Sequence, residues 1–299
     1  MKILIITGGS FDEREISLLS SKNVVQALKK KHHKIEVIDF NKGYIEILKK
    51  AKCNDVIFPV LHGPEGEGGR LQKILEKNKI KFVGSGSKAC ELGWNKIKFK
   101  TFCKNLNIKT PDWFILSDSN VKDFKTMKIP FVIKPIDNGS SVDVFVCKSK
   151  QDLQKIDIKK LLTKYEKMMI EDYIEGVEIT VGIFNKQALP IVEIVPPNKE
   201  WFNYENKYSG KTKELPNAPS LTQHQQQKIK NLTLKIHRAI ECRHFSRTDY
   251  IVNKNGVFVL EINTIPGLTK ESLLPKAAEA AGITFKDLAN RLVESTYKD

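Results

Sequence analysis

The sequence of 299 residues lacks the features that mark several large classes of protein. No apolar run reaches the roughly 20 residues that a helix needs to cross a bilayer. The apolar stretch behind Met1 is too short for a signal peptide. Five cysteines are an odd number, and no C-x-x-C pair is present, so neither a disulfide framework nor a zinc site is indicated. We therefore expect a cytoplasmic protein that does not insert into membranes.

Arginine is scarce although the chain is strongly basic. The 50 basic residues against 35 acidic ones give a net charge of +15, yet only six of the 50 are arginine. Nucleic-acid sites typically use the bidentate arginine fork together with aromatic residues or a recognisable module. The dispersed lysines favour a solvated surface over a binding patch, so we expect no nucleic-acid partner. Arg14 and Arg247 become candidates for work that needs the fork.

The composition that is present predicts a folded chain of two or three domains. With 40% apolar and 28% charged residues, the sequence is not that of a disordered protein. Strands and helices alternate over residues 1–86, which predicts a parallel α/β sheet that ends with a strand at Ile80–Val83. Residues 87–175 read as α+β, with one helix near Gln151–Thr163. Residues 176–299 form a third section of strands and helices.

Two further patterns bear on the kind of site. Gly8-Gly9 follows the first strand, but the sequence after it does not complete G-x-G-x-x-G, so a dinucleotide fingerprint is not supported. A polar segment at about 197–217 is too long for a simple connector and too aromatic for a disordered linker. We predict that this segment is an ordered lid.

Acidic and amide side chains near the end of the chain predict a metal site. Asp249 lies on one strand of a predicted hairpin, and Glu261 and Asn263 share a face of the other. Antiparallel pairing would bring the three together as an all-oxygen site of the kind that Mg²⁺ prefers. The alternative is a solvated polar strand face, which explains Glu261 less well because it follows an apolar run.

Three weaker signals lie at strand ends. Lys134 ends an apolar strand, where a charge is costly unless paired, and Gly139-Ser140-Ser141 follows as a flexible loop suited to phosphate. His62 and Glu13 follow predicted strands of the first sheet, where ligands of α/β folds bind. Each also has an ordinary explanation: a surface lysine, a structural histidine, and an acidic residue in the first turn of a helix.

In their order along the chain, these segments resemble the D-alanine–D-alanine ligases of the ATP-grasp superfamily. The resemblance covers nearly the whole chain and rests on nine motifs, which are Gly8-Gly9-Ser10 through Glu13-Arg14-Glu15-Ile16-Ser17, His62-Gly63 through Gly66-Glu67, Lys96, Lys134-Pro135 with Gly139-Ser140-Ser141-Val142, Glu171, Gly176-Val177-Glu178, Tyr204 through Tyr208, Arg247-Thr248-Asp249, and Glu261 through Thr269 with Ser272-Leu273.

The resemblance implies a three-domain ATP-grasp architecture and a site for ATP. The domains would be an N-terminal α/β substrate domain (1–86), a central ATP-grasp domain (87–175) and a C-terminal ATP-grasp domain (176–299). The residues implied to bind ATP are Lys96, Lys134 and Lys207 at the phosphates, Glu171, Tyr173 and Ile174 at the adenine, and Glu178 at the ribose. Asp249, Glu261 and Asn263 would hold two Mg²⁺ or Mn²⁺ ions.

The resemblance also implies the substrate and the reaction. The chain would join two D-alanines with ATP through an acyl phosphate, for peptidoglycan precursor synthesis, as a homodimer. The residues implied to act on D-alanine are Glu13 and His62 at the first D-alanine, Arg247 and Gly267 at the oxyanion, Ser272 and Leu273 at the second carboxylate, and Tyr208, Ser140 and Glu13 as a hydrogen-bonded triad that fastens the lid.

Three positions depart from the family pattern, and two other functions remain open. Asp143 and Gly68 stand where the family usually has Gly and Asp, and Asn95 replaces an Asp before Lys96. One alternative is another ATP-grasp carboxylate–amine ligase, which would share Lys134 without the full triad. The other is a lysine-rich nucleic-acid-binding protein on an inactive ligase scaffold.

Overall fold

The computed structural model describes residues 1–9, 13–29, 33–197, 202, 206 and 210–298. The strands of these residues form three sheets, of three, four and six strands. Each sheet lies within one of the three predicted domain ranges, and the exact boundaries stay predictions. No helix among the described residues combines the length and the apolar character needed to cross a membrane.

The first sheet is parallel, as predicted, with the order β2-β1-β3. Strands β1 and β3 are almost entirely buried. The predicted strand at Ile80–Val83 is wrong: Phe82 makes only an isolated bridge to Ile57. The elements of this section are β1 (Lys2–Thr7), α1 (Arg14–Lys29), β2 (Lys34–Asp39), α2 (Gly43–Ala51), β3 (Val56–Pro59), α3 (Pro64–Glu67) and α4 (Arg70–Lys77).

The second sheet is antiparallel, with the order β4-β7-β5-β6. The single helix predicted near Gln151–Thr163 is wrong. Two helices stand there, because Asp157 starts a new one by accepting a hydrogen bond from the Lys160 backbone N–H. The elements are α5 (Ser87–Trp94), α6 (Lys96–Asn105), β4 (Trp113–Ser117), β5 (Phe131–Pro135), β6 (Phe145–Cys147), α7 (Lys150–Gln154), α8 (Ile158–Tyr165) and β7 (Lys167–Asp172).

The third sheet has the order β11-β10-β8-β12-β13, with β9 paired to β8. Strand β11 falls inside the segment predicted as a lid loop, where it pairs with β10. The elements are β8 (Val177–Phe184), β9 (Gln187–Ala188), β10 (Val192–Val195), β11 (Lys213–Pro216), α9 (Gln223–Ala239), β12 (Phe245–Asn253), β13 (Gly256–Asn263), α10 (Leu273–Ala280) and α11 (Phe285–Ser295).

The cores join the sheets at the place where the site lies. Ile3 and Phe58 of the first sheet share one apolar cluster with Phe245 and Leu274. Helices α5 and α6 pack on the third sheet, since Phe99 lies in the same cluster as the residues of β8, β12 and β13. The second sheet has a core of its own. Burial of this apolar surface fixes the first and third sheets and α6 against each other.

Candidate active site

The β12–β13 hairpin brings the predicted metal ligands together. Asp249 lies directly opposite Glu261, and Arg247 lies opposite Asn263. Directly paired residues of an antiparallel ladder project to the same face, so the two carboxylates, the amide and the guanidinium share one face. The ladder is interrupted by an irregularity just after Asp249. The prediction that antiparallel pairing unites these residues is confirmed.

Asp249 is held by two donors. Arg247 donates from Nε to Oδ1 at 3.1 Å and from Nη2 to Oδ2 at 3.0 Å, and Thr180 Oγ1 donates to Oδ1 at 2.5 Å. Burial opposes the charge of Arg247, but Asp249 and Glu261 outweigh it and keep its pKa above the usual value. The guanidinium is therefore a permanent positive charge fixed in orientation.

The donor set fits a hard cation. Two carboxylates and one amide oxygen are the ligands that Mg²⁺ takes while it keeps waters and phosphate oxygens as the rest of its shell. Within the described ranges, no group of three or more His, Cys, Asp or Glu side chains forms a metal cluster. The Oδ1 of Asn263 also accepts a hydrogen bond from the Ile265 backbone N–H at 2.9 Å.

Lys96 connects the hairpin to the second sheet. It is the first residue of α6, whose N-terminus is capped by Asn95 accepting from the Lys98 backbone N–H at 2.9 Å. The departure at Asn95 thus keeps a capping residue. Lys96 is buried, donates from Nζ to the Asn138 carbonyl at 2.5 Å and lies 3.7 Å from Glu261 Oε2. A buried ammonium at this point suits an anionic ligand.

Lys134 shares a buried carboxylate with a second lysine. Its Nζ lies 2.5 Å from Glu171 Oε1, and Lys100 Nζ lies 2.7 Å from Glu171 Oε2. Burial raises the pKa of Glu171, but the two ammonium groups outweigh it, so the net shift is downward. Burial lowers the pKa of Lys100 to about 8. One carboxylate between two cations leaves an excess of positive charge, as a phosphate site requires.

The loop after β5 meets the first section of the chain. Ser140 Oγ donates to Glu13 Oε1 at 2.5 Å, which is one half of the predicted triad. A Cβ at Gly139 would lie 2.8 Å from the same oxygen, so a side chain here would displace the Glu13 carboxylate. Tyr208 and Lys207 lie outside the described residues. Their predicted roles stay predictions.

His62 lies at the end of the turn that follows β3, bridged to Gly9. Burial and the charge of Arg247 lower its pKa to about 4, so the ring is neutral at pH 7. Its Nε2 is buried and finds no hydrogen-bond partner among the described residues. Buried polar atoms are usually satisfied, so this atom is available to a ligand beside Arg247.

The segment from Gly267 to Leu273 forms a tight turn into α10. Ser272 Oγ accepts from the Thr269 backbone N–H at 3.1 Å, and a Cβ at Gly267 would lie 2.7 Å from that oxygen. Leu268 N–H donates to Ser20 Oγ at 3.3 Å, which joins the turn to α1. The side chain of Leu273 lies in the core, so what it can offer a ligand is its backbone.

The residues expected at the adenine and ribose lie at the ends of two strands. Tyr173 directly follows β7, and Lys148 Nζ lies over its ring, 4.5 Å from the ring centroid. Ile174 is the next residue. Glu178 lies on β8, paired with Ile194 and Ile251. Their roles at the adenine and the ribose stay predictions.

Sequence reasoning left Glu67, Lys100 and Thr180 without a role, whereas Arg14 uses its fork on Asp39. Glu67 is buried and accepts from the Gly63 backbone N–H at 3.0 Å. Burial and the nearby Glu13 carboxylate raise its pKa well above the usual value. Arg14 is paired with Asp39, 3.2 Å from Nη1 to Oδ1, away from the hairpin. The sequence around Glu67 is rich in glycine and glutamate, so it carries no local signal of this burial.

Two protein-family models match this chain, and together they cover most of its length. The D-ala D-ala ligase C-terminus model matches residues 91–294, and the D-ala D-ala ligase N-terminus model matches residues 43–85. The chain belongs to the D-alanine–D-alanine ligase family. Gly68 was predicted to depart from the family pattern, and its surroundings give a local reason for glycine. A Cβ there would lie 2.4 Å from the Pro64 carbonyl oxygen.

Relatives and solved structures in this ligase family cover the whole chain. D-alanine–D-alanine ligase of Aquifex aeolicus is 38% identical over 98% of this chain and 100% of its own length. The ligase of Carboxydothermus hydrogenoformans is 37% identical, with 98% and 97% covered. The crystal structure of the Bacillus anthracis ligase complexed with ATP has a TM-score of 0.86 at 30% identity, with 100% of this chain and 98% of that chain covered. The ATP-grasp fold is thereby confirmed.

Proposed function

We propose that this chain joins two D-alanines to D-alanyl-D-alanine with ATP, through an acyl phosphate, in peptidoglycan precursor synthesis. The observation that carries the proposal is the convergence of Asp249, Glu261, Asn263 and Arg247 on one hairpin face with Lys96 beside it. Carboxylates, amide, ammonium and guanidinium together suit a phosphoryl transfer followed by an oxyanion. The family of the chain supplies the substrate.

The nucleotide would lie between the second and third sheets. Lys96, Lys134 and Lys207 would contact its phosphates. Glu171, Tyr173 and Ile174 would meet the adenine, and Glu178 the ribose. Since the Glu171 carboxylate is buried between two lysines, it would also fix Lys134 in addition to bordering the adenine. Asp249, Glu261 and Asn263 would hold two Mg²⁺ or Mn²⁺ ions, which, when bound, neutralise phosphate charge.

The amino acids would lie between the hairpin and the first sheet. Glu13 would bind the ammonium of the first D-alanine, and the neutral His62 would lie beside its carboxylate. Arg247 and the Gly267 backbone N–H would face the oxyanion, and Ser272 and Leu273 would bind the second carboxylate. The triad of Tyr208, Ser140 and Glu13 would fasten the lid.

The chemistry then proceeds in two displacements. The carboxylate of the first D-alanine attacks the γ-phosphorus of ATP and releases ADP. The amine of the second D-alanine attacks the acyl carbon, and the tetrahedral oxyanion collapses with loss of phosphate. Asp249 holds Arg247 by Nε and Nη2, which leaves Nη1 outside that pair to face the oxyanion. Because water destroys an acyl phosphate, the site must be covered during the reaction.

The test is phosphate release from ATP with each D- and L-amino acid in turn. The wild type should release phosphate with D-alanine and form the dipeptide in equal amount. Glu261→Gln should keep the fold and lose at least about a hundredfold in turnover, since it removes a charged ligand. Glu294→Gln, an exposed residue of α11, is the matched control. Near-normal turnover of Glu261→Gln at saturating Mg²⁺ would contradict the metal assignment.

The proposal also includes a homodimer in the cytoplasm. Sedimentation of the purified chain at micromolar concentration distinguishes a dimer from a monomer. If the chain sediments as a monomer at micromolar concentration, the dimer is contradicted and the assignment of the site is unchanged.

A further inference from the structure

The phosphate-side loop Gly139–Asp143 has a costly backbone conformation. Ser140, Ser141 and Asp143 have φ values of 52°, 57° and 55°, in the left-handed region that residues with a side chain seldom adopt. Three such residues within four positions do not hold this shape by intrinsic preference. Contacts elsewhere must stabilise it.

One phenol joins the two ends of this loop. Tyr165 OH donates to Asp143 Oδ2 at 2.6 Å and accepts from Asn138 Nδ2 at 3.1 Å. Lys164 Nζ donates to the same Asp143 oxygen at 2.8 Å. Asn138 precedes the loop and Asp143 ends it, so the hydroxyl of Tyr165, the last residue of α8, closes the loop as a tether.

The charge of Asp143 is neutralised by the same contacts. Burial favours the neutral acid, but the hydrogen bonds from Lys164 and Tyr165 outweigh it, so the pKa of Asp143 lies below its usual value. The pKa of Lys164 is raised, chiefly by Asp143. A carboxylate without these partners, beside bound phosphates, would repel them.

The position of the loop bears on three other parts of the site. The Asn138 carbonyl accepts from Lys96, Ser140 donates to Glu13, and Ser141 Oγ donates to the Phe202 carbonyl at 3.2 Å. Phe202 belongs to the segment predicted as the lid. A loop that lost its tether would therefore loosen these three contacts in the free protein, before ATP binds.

We propose that Asp143, Tyr165 and Lys164 are positioning residues that hold the loop Gly139–Asp143 ready for the ATP phosphates. The inference rests on the proposed function in taking ATP as the ligand of the loop. A pre-formed loop binds ATP without a further cost of ordering. Glycine would adopt the backbone conformation of this position freely, whereas Asp143 is held in it by Tyr165 and Lys164.

The experiment compares Tyr165→Phe, Asp143→Asn and Asp143→Gly with the wild type. Each should raise the KM for ATP and the Kd for Mg·ATP, measured by calorimetry without D-alanine, about three- to tenfold, the range of one hydrogen bond. The kcat at saturating ATP should stay within about twofold. Asp143→Gly is decisive, because glycine adopts the backbone freely but cannot be tethered. The pair Tyr165→Phe and Asp143→Asn should be non-additive.

Glu36→Gln is the matched control, because Glu36 also accepts from a lysine and a second donor, Lys50 and Asn54, but in the first section of the chain. It should leave all these constants unchanged. Wild-type ATP affinity in both Asp143→Gly and Tyr165→Phe would overturn the proposal. The wild type could also bind ATP without turning over D-alanine. If the variants then lose Mg·ATP binding, the result supports this proposal and overturns the proposed function alone. A wild type that binds no ATP would overturn both.

Discussion

At the scale of single residues, three buried charges meet at Glu171. Its carboxylate contacts Lys134 and Lys100, and all three side chains are buried. Burying charges is costly unless they are paired, and here one negative charge serves two positive ones. The excess cation is tolerated because a polyphosphate is expected to bind there. Glu171, itself paired with Lys100, fixes the direction of Lys134.

Lys100→Met should lower both stability and ATP affinity. The substitution leaves Glu171 with Lys134 alone, and we expect a loss of about 1–3 kcal/mol in the free energy of unfolding, as for a buried hydrogen-bonded group that loses a partner. Urea denaturation measures it. Lys104→Met, four residues along the same helix and paired with Asp112 at the surface, should change little. Equal denaturation midpoints for the two variants would contradict the role of Lys100.

At the scale of elements, sequence patterns correctly predicted the features that depend on residues close together in the chain. The period-two pattern placed Asp249, Glu261 and Asn263 correctly on one face of a hairpin, because a short turn fixes which residues pair. The strand at Ile80–Val83 failed because an apolar run does not reveal whether a partner strand extends along it. The helix near Gln151 failed because Asp157 competes for backbone N–H groups.

Contacts between distant segments were beyond the same reasoning. Lys100 and Glu171 are 71 positions apart, and Thr180 and Asp249 are 69 apart. No local pattern pairs them, so the resemblance to a family had to supply the role of Glu171. Glu67 lies in a run rich in glycine and glutamate that gives no local signal of burial. Its burial follows from the packing of α3 against α5.

Helix α9 offers an element-scale prediction outside the site. Thr222 accepts from the Gln225 backbone N–H at 3.3 Å, and the Gln225 side chain accepts from the Thr222 backbone N–H at 2.9 Å, which forms a capping box. Thr222→Ala should lower the free energy of unfolding by about 1 kcal/mol, measured by thermal or urea denaturation, and leave turnover unchanged. Gln227→Ala, an exposed residue of the same helix, is the control. A loss of stability as large in Gln227→Ala would show that the cap contributes nothing specific.

At the scale of the whole molecule, the site is a meeting point of three sheets. Glu13 comes from the first section, Ser140 from the second and Arg247 from the third. The first and third share an apolar core, whereas the contacts described above that reach the second sheet are polar: Ser140–Glu13, Ser141–Phe202, Lys96–Asn138 and Lys100–Glu171. The site is therefore assembled beside an apolar core shared by the first and third sheets, and polar contacts connect the second sheet to it.

The pH dependence of stability is a property of the whole chain, and two buried histidines contribute to it with the same sign. Burial, together with Arg247 for His62 and with Arg238 and His244 for His237, lowers the pKa of each to about 4, against about 6.5 in the unfolded chain. Between these values the unfolded chain binds protons that the folded chain excludes. Stability therefore falls as the pH drops from about 6.5 to 4, by up to about 1.4 kcal/mol per pH unit for each histidine.

His237→Gln tests this dependence away from the active site, since His237 Nδ1 bonds Ser246 at 2.7 Å and an amide can replace that bond. The free energy of unfolding, measured from pH 7.5 to 4.5, should decrease less steeply in the variant than in the wild type. Glu67 acts with the opposite sign, because its raised pKa means that the folded chain takes up a proton there first. The difference between the two curves isolates His237, and His224→Gln, an exposed residue of the same helix, should reproduce the wild-type curve. If the His237→Gln and wild-type curves run parallel between pH 6.5 and 4.5, the buried neutral histidine is not the cause of the acid sensitivity.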